Sequence, residues 1–77
     1  MQIFIRLADG ITYSLQVFND FTLMDVKKRM FDRLGAAVYS YQCKILKQDG
    51  SWYTLPNDKT LESLNIRNGQ ILYMIKS

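Results

Sequence analysis

The first seven residues alternate, with Met1, Ile3, Ile5 and Leu7 on one side of an extended chain and Gln2, Phe4 and Arg6 on the other. That period of two predicts a half-buried strand. Asp9-Gly10 follows, a pair that tolerates the positive backbone angles of a tight turn, and residues 12–17 then alternate again with Tyr13, Leu15 and Val17 inward. The two segments read as a β-hairpin. After Asn19-Asp20-Phe21 the period changes: Leu23, Val26, Met30 and Leu34 recur at helical spacing. Thr22 with Asp25 three residues on approximates a capping box, and Gly35 supplies a closing residue, so a helix is predicted over Leu23–Leu34.

Alternation returns with Tyr41, Cys43 and Ile45 set against Gln42, Lys44 and Leu46, and Asp49-Gly50 turns the chain into residues 52–55. This is a second hairpin, in which one of Trp52 and Tyr53 is expected to face the core. Pro56-Asn57-Asp58 ends it, after which Thr60 can cap a short helical turn carrying Leu61 and Leu64, with Ile66 anchoring the exit. Asn68-Gly69 marks another turn. Residues 71–76 form a last strand with Leu72 and Met74 on one face and Ile71, Tyr73 and Ile75 on the other. A helix with one apolar stripe must lay it on an apolar surface, and the amphipathic strands offer one. The expected architecture is an α+β grasp: a mixed sheet of four to five strands packed on one α-helix, plus a short helical turn, in a single domain spanning 1–77.

Composition narrows the chemistry. A chain of 77 residues with 48% hydrophobic and 22% charged residues is globular and has room for one core. Cys43 is the only cysteine and histidine is absent, so no disulfide can form within the chain and no Cys/His cluster can hold zinc. Ser14, Ser40, Ser51 and Ser63 lack an imidazole to activate them, and Cys43 on an inward phase reads as a small core residue. No enzyme activity, metal or cofactor is expected. No apolar run approaches the roughly 18 residues of a membrane span, and the start is not of the secretory kind. A soluble intracellular protein of the cytoplasm and/or nucleus is expected, as a monomer. The net charge of +3 mildly favours acidic partners. Bases stacking on Tyr73 beside Arg6 and Lys44 would make a nucleic-acid-binding face, a reading that the small and scattered charge disfavours.

Met1-Gln2-Ile3-Phe4, then Gly10, Thr12, Leu15, Val17, Thr22, Val26, Lys27, Asp32 and Gly35 without a gap, and after a longer middle hairpin Thr60-Leu61, Asn65-Ile66 and Leu72, together resemble the ubiquitin-like family. The resemblance covers the whole chain and is densest in its first half. It implies a ubiquitin-like β-grasp domain that docks partner proteins of the ubiquitin system, or a domain of a parent protein, through its sheet face. Carried over by position, the family's apolar patch falls on Ala8, on Lys44 or Leu46, and on Tyr73 and Ile75, flanked by Arg6. Alanine and lysine replace two aliphatic anchors there. Lys27 would, in the family manner, be a partly buried structural lysine paired with a carboxylate, for which Asp58 is the candidate; a ligand-binding role is the other reading. Most chain-forming lysines of the family are replaced, with Arg6, Ile11, Arg29, Arg33 and Asn68 at their positions. The Gly-Gly tail is also missing after Ile75-Lys76-Ser77, so the expectation is a domain that is not conjugated as written. A covalent modifier whose tail lies outside this sequence is the alternative. The enlarged hairpin of residues 47–55 is the least family-like part, and its aromatics could widen the recognition surface.

Overall fold

The structure is a computed structural model, and it describes residues 1–76. Strands β1 (Gln2–Leu7) and β2 (Thr12–Gln16) form the antiparallel hairpin that their alternation predicts, with Ile3 opposite Leu15 and Ile5 opposite Tyr13. Helix α1 (Leu23–Leu34) crosses behind them, and β3 (Tyr41–Leu46), β4 (Trp52–Thr54) and β5 (Ile71–Lys76) complete one five-stranded sheet. The strand order is β2-β1-β5-β3-β4. The last strand lies in the middle, parallel to β1 and antiparallel to β3, so the sheet is mixed. One helix gripped by such a sheet is a β-grasp, an α+β fold.

Local chemistry sets the limits of α1. The Thr22 hydroxyl accepts from the Asp25 backbone N–H at 3.2 Å while the Asp25 carboxylate accepts from the Thr22 N–H at 3.0 Å. This reciprocal box satisfies two donors that a helix start leaves open. At the other end Gly35 sits at φ 68°, ψ −163°, a region that residues with a side chain avoid. Beyond it the chain tightens into a 3₁₀ helix, Gly35–Ser40, which the sequence pattern does not announce and which tucks Val38 into the core.

Leu23, Val26 and Met30 of α1 are fully buried against Ile3, Ile5, Leu15, Cys43, Leu72 and Met74 of the sheet, and Leu34 packs at the margin. Leu55, Leu61 and Ile66 seal the open end. The short helical turn expected after Thr60 takes the form of consecutive hydrogen-bonded turns over 61–65. Thr60 caps them through the Ser63 N–H at 3.1 Å, and Asn65 at φ 57° ends the helical sense after one turn. No helix of the described residues is long and apolar enough to cross a membrane.

Candidate partner-binding face

One face of the sheet holds α1; the other faces solvent, and strand alternation decides what it carries. On β1 the outward residues are Gln2, Phe4 and Arg6, on β5 Ile71, Tyr73 and Ile75, on β3 Gln42, Lys44 and Leu46, and on β4 Trp52 and Thr54. Register lines them up in rows. Arg6 is opposite Tyr73, which is opposite Lys44, and the next positions along pair Gln42 with Ile75 and Leu46 with Trp52. A solvated sheet face usually alternates to polar residues, so Leu46, Trp52, Tyr73 and Ile75 together are an apolar surplus.

Two of these residues are locked together. The Trp52 indole meets the Tyr73 ring edge to face, with centroids 4.9 Å apart and planes at 89°. Such pairs add about 0.5–1.5 kcal/mol beyond burial, which holds the indole over the sheet and not free in solvent. With Leu7, Ala8 and Ile75 they wall a largely apolar hollow of about 370 Å³, on whose rim Arg6 and Gly10 lie. The Arg6 Nε donates to the Thr12 hydroxyl at 3.1 Å, fixing the guanidinium beside the hollow. At the far edge Lys47 places its ammonium 5.0 Å from the centre of the Tyr53 ring. That pair is on the helix-side phase of β4, so on the outer face the cations beside the apolar strip are Arg6, at the hollow, and Lys44, in the row with Tyr73.

The residues singled out from the sequence divide. Arg6, Ala8, Tyr73 and Ile75 converge on the one hollow; Lys44 lies in the row with Arg6 and Tyr73, and Leu46 stands at the outer edge beside Trp52. The structure adds Trp52, Leu7 and Gly10. Neither aromatic of the enlarged hairpin faces the core: Trp52 is 49% and Tyr53 40% exposed, contrary to the expectation that one would be buried. β4 is an edge strand with core beneath only one end, where Leu55 is buried, so Tyr53, two residues back on the same phase, overhangs. Counting back from Leu55 by twos was the available signal that Trp52 points outward.

Lys27 and Asp58 do not come together. Lys27 lies on the buried flank of α1 with 2% of its surface exposed, while Asp58 is in a solvent-facing turn. Among the described residues Lys27 makes no hydrogen bond or ion pair, with Asp58 or any other carboxylate. Its electrostatic neighbour is Cys43. Burial lowers the Lys27 ammonium below its usual pKa and pushes the Cys43 thiol up to about 12, so the thiol stays protonated at neutral pH and cancels none of the lysine's charge.

Elsewhere Phe18 stacks edge to face on Phe21 with centroids 5.5 Å apart, the Arg29 guanidinium covers Phe21, and Phe31 leans on Tyr39. Phe4 and Met24 are half-buried. Among the described residues no three His, Cys, Asp or Glu side chains are grouped to hold a metal. The fold and its outward face thus define an α+β grasp domain with an aromatic-aliphatic strip. No protein-family model matches the chain, and no curated protein matches it.

Proposed function

We propose that this chain is a ubiquitin-like interaction domain, intracellular and without catalysis of its own, that docks partner proteins on the outer face of its sheet. The carrying observation is the Trp52–Tyr73 pair standing at the wall of an apolar hollow that opens on the solvent-exposed sheet face beside the β1–β2 turn. Large aromatics held rigid before binding lose little entropy on complex formation, and they supply most of the energy of many interfaces. The hollow accepts an apolar side chain of the partner; Arg6 beside it and Lys44 in the next row favour acidic residues on the partner's rim. The resemblance of Met1-Gln2-Ile3-Phe4 and Thr22, Val26, Lys27 and Gly35 to the ubiquitin-like family supports the same reading, because that family works by docking through this face.

Affinity capture from cell extract with the intact protein, followed by titration of each recovered partner, tests it. Trp52→Ala and Ile75→Ala leave the fold in place and each weaken binding at least about tenfold, equivalent to about 1.4 kcal/mol. Partners that bind both variants as tightly as the parent protein defeat the proposal. Moderate salt weakens capture through the cationic rim without abolishing it.

A further inference from the structure

A second hollow, sharing no residue with the first, opens between α1 and the β3–β4 side of the domain. It measures about 380 Å³, and Tyr39, Tyr41, Gln42, Thr54 and Asn57 line it around Lys27. Lys27 is the only charged residue in that lining. Every buried side-chain nitrogen and oxygen of the described residues has a hydrogen-bond partner, yet Lys27 has none. Its nitrogen is therefore not sealed in, although 98% of the residue's surface is covered, and the residue lines the hollow. A partly desolvated cation with no counter-charge is disfavoured, and an anion of matching size relieves that cost.

We propose that this hollow is a binding site for a single carboxylate, held by the Lys27 ammonium and by the neutral hydroxyl and amide groups of Tyr39, Tyr41 and Asn57. One cation balances one negative charge. A phosphate dianion would bring a surplus that nothing in the lining neutralises, so the charge count favours a monoanion such as a carboxylate. The neutral donors suit it, since a carboxylate accepts several hydrogen bonds through its two oxygens. The carboxylate belongs either to a small organic acid or to the free end of a peptide chain, and the recognition chemistry is the same for both.

The test is NMR titration of the isotope-labelled protein near neutral pH, first with sodium acetate against sodium chloride at equal ionic strength. A short peptide with a free terminal carboxylate and the same peptide amidated follow. Acetate or the free-acid peptide gives a saturable shift of the Lys27 side chain and of the Tyr41, Thr54 and Asn57 amides, and raises the pH at which the Lys27 ammonium titrates. Lys27→Met, which keeps the stem and drops the charge, weakens this response at least about tenfold. The free-acid peptide binding more tightly than acetate, with the amide inert, assigns the carboxylate to a chain terminus; acetate binding as well as the peptide assigns it to a small acid. The site is refuted if acetate and the peptide act on the parent protein no more than chloride, or if Lys27→Met responds as the parent does. The Lys27 titration in the parent protein decides the matter even if the variant fails to fold. A negative result here leaves the docking face untouched, because the two hollows share no residue.

Discussion

At the scale of single residues the two titratable groups under α1 make opposite statements. Lys27 carries a charge that burial disfavours and no carboxylate repays, so Lys27→Met is expected to be neutral or to stabilise by up to about 1 kcal/mol in chemical denaturation. Lys27→Ala instead removes the packed stem and loses about 2 kcal/mol. Cys43 holds its proton to about 12 in the folded chain, against an ordinary value of 9.0. Below 9.0 the thiol is protonated in both states and adds no pH dependence. Above that value the unfolded chain releases the proton and the folded chain does not, so stability falls by about 1.4 kcal/mol per pH unit up to the folded value. The lowered Lys27 pKa works the other way, since the folded ammonium deprotonates first and regains stability as pH approaches 10.5. Stability of Cys43→Val measured against the parent protein from neutral pH upward isolates the thiol, and a constant difference across that range would contradict its burial. The place of both residues was legible in advance, Cys43 from its inward phase and Lys27 from its angle beside the stripe. That Asp58 stays apart from Lys27 was not, because it depends on the path of the turn after Pro56, which no periodicity records.

At the scale of elements, α1 is the clearest sentence in the sequence. Its capping box, the steps of its stripe and its closing glycine each act over four residues or fewer, and local chemistry can be read locally. Thr22→Ala is expected to lose about 1 kcal/mol, read as a shift of the denaturation midpoint. The backbone N–H of Thr22 holds the Asp25 carboxylate below its ordinary 3.8. The stability this bond provides is complete above 3.8 and is lost as pH falls through the lower folded value; Thr22→Ala keeps the backbone donor and so retains most of this acid limb, whereas Asp25→Asn, which removes the titrating group, flattens it. Gly35→Ala is expected to lose about 1–3 kcal/mol through backbone strain alone, since no atom lies within 4 Å of where its Cβ would stand. The 3₁₀ helix after it was illegible because Gly-Ala-Ala-Val-Tyr-Ser shows neither period, only one buried valine. β4 misled for a related reason: in a strand of three residues at a sheet edge, phase says which way a side chain points but not whether anything covers it.

At the scale of the whole molecule, the candidate face exists only because chain order and sheet order differ. Alternation marked Arg6, Tyr73 and Ile75 as outward, but nothing in a linear pattern places β5 between β1 and β3, and that insertion joins Arg6, Tyr73 and Lys44 into one row. The face should be separable from the fold. Trp52→Ala combined with Ile75→Ala is expected to unfold in one cooperative transition within about 2 kcal/mol of the parent protein, since both side chains lie outside the core cluster. That same central pairing has a temporal side. Phe4 finds Ile71, and Leu7 finds Met74, across nearly the entire length of the chain, while the first hairpin and the helix need only near neighbours. A nascent polypeptide leaving the ribosome can make its first turns early, but the sheet has no centre until its final six-residue strand emerges, and it then closes like a zip whose two halves were produced first and last.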